Sequence, residues 1–189
     1  MDSTKVTASQ PKIGGSIHRA PKGTALPEDA TSELDKEFKN LGYVSEDGVT
    51  NSNTASSEQT KAWGGDVVLD GQTEKPDIFK LKLIEALNEE VLKTVYGDEN
   101  VTGTLAEGIT VKANRQELEQ SAWIIDMIMK GAIKRITIPL GKVTKVNDIV
   151  YNSKAVGYDL EISAYPDIAG QTHYEYIIAS TDAESAEAD

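Results

Sequence analysis

Side chains able to do covalent chemistry are scarce in this sequence. Cysteine is absent, which removes thiolate nucleophiles, thiolate zinc sites, iron–sulfur clusters and disulfide staples together. The two histidines are His18 and His173. His18 lies in a proline-bearing N-terminal stretch, and His173 falls in THYEYI, where alternation with Tyr174 and Tyr176 makes it an ordinary strand residue. Neither has the partners that a metal site or a catalytic pair requires, so no catalytic, metal or cofactor-binding residue is expected. No G-x-S-x-G elbow and no G-x-G-x-x-G occurs. Gly103 and Gly108 have the spacing of a phosphate loop, but Ile109 follows where that loop needs its lysine. Carboxylates are the abundant reactive group, with Asp126, Asp159, Glu161 and Glu175 on expected strands. A hydrolase pair depends on three-dimensional spacing, and a solvated sheet face accounts for these residues more simply.

Composition narrows the class further. A chain of 189 residues favours one domain, or one domain with extensions. Asp and Glu number 31 against 19 Lys and Arg, a formal net charge of −12. Such a chain is poorly suited to gripping phosphate backbones, because that affinity rests on cationic neutralisation. No run approaches the ~18 apolar residues of a membrane span. The start, MDSTKVTASQPKIGG, lacks the apolar core of a secretory signal, so the expectation is a soluble intracellular product without membrane insertion.

The elements follow from periodicity. Residues 1–35 hold few large apolar side chains (Val6, Ile13, Ile17, Leu26, Leu34) and three of the six prolines, and they read as an extended arm. Lys12 to Arg19 can form a strand if another surface pairs with it; a disordered tail fits the same composition. Thr31–Phe38 is expected to make a short helical turn and Leu41–Val44 a strand. Ser45–Lys61 is a polar loop or the tip of a long hairpin, with Asp47-Gly48 as a turn signal. Residues 36–179 form the β domain, with strands at 66–69, 79–83, 109–113, 123–129, 133–138, 142–150, 156–164 and 173–178. Pro139 is expected to break the strand before it. Trp123, Ile125, Met127 and Met129 line one face of their strand and Ile124 and Ile128 the other, so that strand is expected to be covered on both sides. One helix stands out at 88–96: Asn88 suits the N-cap, Glu89 and Glu90 the first turn, and Gly97 the position after the end. Leu87 is placed to staple onto Leu92. Residues 180–189, STDAESAEAD, read as a solvated acidic tail. Many strands with one helix give a mainly β (α+β) sandwich or barrel.

From about residue 11 to 178 the chain resembles the major tail proteins, the tail-tube subunits of long-tailed siphophages. An ordered succession of blocks carries the resemblance: APKGTALP, LGYVSEDG, KAWGGD, VYGDENVTG and THYEYI. No single block is diagnostic, and the acidic tail after Ala179 is not matched. The resemblance implies two packed antiparallel sheets flanked by a helix, closing into hexameric rings that stack into a tube. It implies a structural protein and not an enzyme, with no cofactor, assembled in the host bacterial cytoplasm and carried in the virion. Its partners would be other copies of itself, the tape-measure protein, the tail terminator and distal tail proteins, with DNA passing through the lumen without specific binding. In that setting the arm would cross onto a neighbour through Lys12, Ile13, Ile17, Arg19 and Leu26. The polar loop would make contacts between subunits and rings through Ser45, Glu46, Asp47, Asn51, Asn53, Glu58, Lys61 and the adjoining Trp63. An acidic wall would repel phosphate, with Asp126, Asp159 and Glu161 as lumen candidates. Competing readings are a tube protein of a contractile injection machine and a carbohydrate-binding sandwich using Trp63, Tyr165, Tyr174 and Tyr176. An acidic hydrolase comes last.

Overall fold

Where alternation is cleanest, strands form. The computed structural model describes residues 5–12, 15–153 and 155–180, the side chains of 72–74 excepted. In chain order its strands are β1 (Ser9–Pro11), β2 (Ile17–Pro21), β3 (Lys39–Asn40), β4 (Val44–Ser52), β5 (Ser56–Lys61), β6 (Val67–Glu74) and β7 (Asp77–Leu83). Helix α1 (Glu89–Tyr96) follows, then β8 (Val101–Thr102), β9 (Thr110–Val111), β10 (Ser121–Met129), β11 (Ala132–Val146), β12 (Tyr158–Tyr165) and β13 (Tyr174–Ala179). The main sheet is antiparallel and runs β3-β2-β10-β11-β12-β7-β4. β1 continues along β10 beyond β2, and β13 runs along β11 beyond β12. The pairs β5–β6 and β8–β9 stand apart as small sheets. The protein is thus mainly β, with several sheets and one α-helix, consistent with a sandwich. Among the described residues the path's ends, β3 and β4, do not pair, so no barrel closes.

The larger core forms where apolar alternation coincides on several strands. Phe79, Leu81 and Leu83 of β7, Trp123 and Ile125 of β10, Ile136 and Ile138 of β11, and Leu160 and Ile162 of β12 are buried in one cluster. Helix α1 adds Val91, Leu92 and Val95 to it. Its start is as expected: the Asn88 Oδ1 accepts from the Glu90 amide at 3.0 Å, and the Gly97 amide donates to Lys93 O at 2.8 Å. Leu87, however, is exposed, so the expected staple onto Leu92 buries little of it.

The opposite face of β10 buries Ala122 and Ile124 together with Ala20 and Phe38, with Leu26 and Leu34 packed against them. The covering layer is the 21–38 segment, and this corrects the reading of residues 12–34 as a crossing arm. β2 pairs with β10 from Ile17↔Ile125 to Pro21↔Ser121, and the Leu41 amide donates to Ile17 O at 2.9 Å, so residues 17–21 pair their backbone at home. It carries no helical turn at 31–38. Arg135 clamps it, donating from Nη1 to Asp29 O (3.2 Å) and Ser32 O (2.8 Å).

Two further expectations are corrected. β11 passes straight through Pro139. Its outer edge pairs with β13 up to Thr137 and with β12 from Leu140, so the proline, which lacks a donor, sits at the joint between partners. The β10 register also slips there, between Trp123↔Ile138 and Ser121↔Gly141, giving β11 one extra residue. Asp47-Gly48 is likewise no hairpin turn: it lies in a register slip within β4, where Gly48 takes φ +68°.

Candidate assembly surface

The polar stretch expected as loop or hairpin tip is divided between two structures. Ser45 to Ser52 belong to β4 and the main sheet, with Val49↔Leu81 and Ser52↔Ile78 in register on β7. Ser45, Glu46 and Asp47 fall at the β4 irregularity, where Ser45 Oγ lies 3.4 Å from Asp47 Oδ2. Asn53 follows in the link to the hairpin β5–β6. That hairpin, whose register includes Glu58↔Gly71 and Lys61↔Val67, turns through Trp63. The turn is closed by the Ala62 amide on Asp66 O (2.8 Å) and the Gly65 amide on Ala62 O (2.9 Å).

Among the described residues no side chain of the hairpin is buried by its own subunit. Every β5 side chain is exposed, including Glu58 and Lys61. Val67, Val68 and Leu69 of β6 are exposed on both faces, and Trp63 is fully exposed at the tip. A two-stranded ribbon is at best marginally stable alone in water, and unpaired strand edges beside apolar side chains form a surface for another chain. Further apolar groups stand free on β13 (Ile177, Ile178) and on the 166–173 loop, where Ile168 is fully exposed. Sequence reasoning found the strand at 66–69 but not the exposure of Val67, Val68 and Leu69. A run of three apolar residues reads as core unless the neighbouring sheet is known.

The hairpin's root is built differently. Asp77, the first residue of β7, is 4 % exposed. It accepts from Asn51 Nδ2 at 2.7 Å, Thr172 Oγ1 at 2.6 Å and His173 Nδ1 at 2.5 Å. Burial pushes its carboxyl pKa up, but these hydrogen bonds and the imidazole more than reverse that and hold it below the ordinary range. The His173 ring stands edge-on to Phe79, centroids 5.2 Å apart. Asn51 is thus at the hairpin root, away from its tip.

The arm and lumen candidates are dispersed. Ile17 is wholly buried in the main core, and Leu26 packs under β10. Arg19 donates bidentately to Asp98, at 2.9 and 2.7 Å, and to Ser121 Oγ at 3.0 Å. Lys12 Nζ reaches Asp126 Oδ2 at 3.5 Å, and Ile13 lies outside the described residues. Ile17 therefore has no surface to offer a neighbour. Asp126 is corrected too: it is 1 % exposed and receives Arg135 Nε at 2.7 Å and Nη2 at 2.9 Å, a buried pair that shows no carboxylate to solvent. Glu161 sits between Lys145 (3.2 Å) and Lys80 (3.8 Å), and Asp159 stands opposite Lys82 on the same outward face of β12.

Beside α1 a cleft of about 210 Å³ is lined by Arg19, Thr94, Tyr96, Asp98, Asn100 and Trp123, among others, and its arginine is already paired with Asp98. Among the described residues no group of three His, Asp or Glu is placed to hold a metal ion. No described helix is long and apolar enough to cross a membrane.

What the molecule offers, then, is an exposed ribbon, further exposed apolar groups and a packed β body behind them. The model of one protein family, described as phage tail tube protein, matches residues 3–188. The chain belongs to the phage tail tube protein family. No curated protein matches it. As a tail tube protein it is a structural component of the phage tail, and its kind assembles into a tube with copies of itself and with other tail proteins.

Proposed function

We propose that this tail tube protein forms the tube of a long, non-contractile siphophage tail. Its subunits close into hexameric rings, the rings stack, and the lumen passes the tape-measure protein during assembly and the genome during infection. The observation that carries this reading is the β5–β6 hairpin. Among the described residues it has no core of its own, it ends on a fully exposed Trp63 and it presents open edges, as suits an element that completes its structure on a neighbour. A head-to-tail contact of this kind closes into a ring or continues as a stack according to the rotation between subunits.

Excising residues 53–75 and joining Ser52 to Pro76 with a short turn tests it. This cut spares β4, whose residues 44–52 pair with β7 and belong to the body. The shortened chain is expected to stay soluble and folded, with an unchanged near-ultraviolet circular dichroism spectrum apart from the lost Trp63. Under negative-stain electron microscopy and light scattering it forms neither rings nor tubes, whereas the full chain forms them when concentrated or seeded with tail-tip components. Normal tubes from the shortened chain would end this reading of the hairpin.

A further inference from the structure

The hairpin leaves the body between Ser52 and Asp77, and Asp77 is where that exit closes. Asn51, two residues diagonal to it across the β4–β7 pair, donates at 2.7 Å and ties the outgoing leg to the returning one. Thr172 and His173 tie both legs to the loop before β13. Among the described residues the only ion-pair partner of Asp77 is His173. Beyond it, Glu175 lies 4.0 Å from His173 Nε2 and pairs with Lys134 at 2.7 Å, so the chain of contacts continues into β11. A carboxylate buried in this way is costly unless its oxygens are satisfied, and the donors at Asp77 come from the end of β4, where the hairpin leaves, and from the loop that carries Ile168. A core-filling role would be met more cheaply by an apolar residue continuing the Phe79, Leu81, Leu83 row.

We propose that Asp77 is a positioning residue for assembly: it locks the direction in which the hairpin leaves the subunit and couples that direction to the 166–173 loop. The proposal rests on the reading of the hairpin as the contact element. A ribbon held at its root loses less conformational freedom when it docks, so the lock lowers the cost of adding each subunit.

Full-length variants test it, read by hydrogen exchange of the 56–71 amides in the monomer and by the critical concentration for tube formation. Thr172→Val and Asn51→Ala each remove one donor; Asn51 is exposed, so its loss does not threaten folding. Each is expected to speed hairpin exchange and raise the critical concentration about three- to tenfold, the range of one hydrogen bond. Thr172→Ser, which keeps the hydroxyl, restores both. A fall in melting temperature with hairpin exchange and critical concentration unchanged would reduce Asp77 to a packing role and overturn the proposal. Wild-type tubes alongside unaffected variants overturn it alone. A wild-type chain that never assembles, even with tail-tip components, overturns the assembly reading and this proposal with it.

Discussion

Arg135 donates to both oxygens of Asp126 and to two carbonyls of the 21–38 segment, with Arg135 and Asp126 each 1 % exposed. Removing the carboxylate strands a guanidinium in the interior, so Asp126→Ala is expected to lose about 3–5 kcal/mol in urea unfolding, the typical cost of breaking a buried pair. Asp126→Leu combined with Arg135→Met recovers part of that loss, since no unpaired charge remains. A loss below about 1 kcal/mol would mean the pair is not the anchor of this segment. Alternation placed Asp126 on a strand expected to be covered on both sides, as it is; what it did not carry was the cover itself, because the 21–38 segment has no periodicity. Residue chemistry also sets an alkaline limit. Burial, then Tyr151 and Tyr158, push the Tyr96 hydroxyl up to about 12, above the ~10 of an unfolded chain. The folded state therefore holds this proton more tightly. Its contribution is fully present below pH ~10 and is lost as pH rises through about 12. Tyr96→Phe is expected to flatten the fall in unfolding midpoint over that window, and an unchanged slope would remove Tyr96 as its source.

At the scale of elements, α1 shows what local signals can do alone. Its cap, acidic first turn and terminal glycine are all local, and all form as read. Asn88→Ala is expected to cost about 1 kcal/mol by thermal or urea unfolding, leaving the Glu90 amide without its acceptor. A change within a few tenths of a kcal/mol would show that solvent replaces the cap. Leu87, at the position for a staple onto Leu92, stays exposed. Pro139 teaches the same point in reverse: it breaks a strand by rule, and is tolerated because β11 changes partners at that residue. The polar 45–61 stretch was harder still. Its first half is sheet and its second half is ribbon, and what separates them is the pairing of β4 with β7, a long-range fact that periodicity does not carry. The hairpin signal was present in the sequence, but attached to Asp47-Gly48 instead of the 62–66 turn.

At the scale of the molecule the question is where a net charge of −12 is carried. Asp126 contributes none of it to a surface, and Glu161 is matched by Lys80 and Lys145, so the outward face of β12 is mixed rather than uniformly acidic. A wall that passes DNA needs only to avoid holding it, and interspersed lysine–carboxylate pairs cancel one another within the ~8 Å over which charge acts at physiological salt. Removing one member leaves lysines able to grip phosphate. If this face lines the lumen, Asp159→Lys with Glu161→Gln produces tails of normal length by electron microscopy that release their DNA more slowly, with the delay relieved by raised salt. The salt dependence is the discriminating feature, because a purely mechanical defect in the tube would not respond to it. Release at the wild-type rate would move both carboxylates off the lumen wall and leave the β12 face to the outside of the tube or to the contacts between rings.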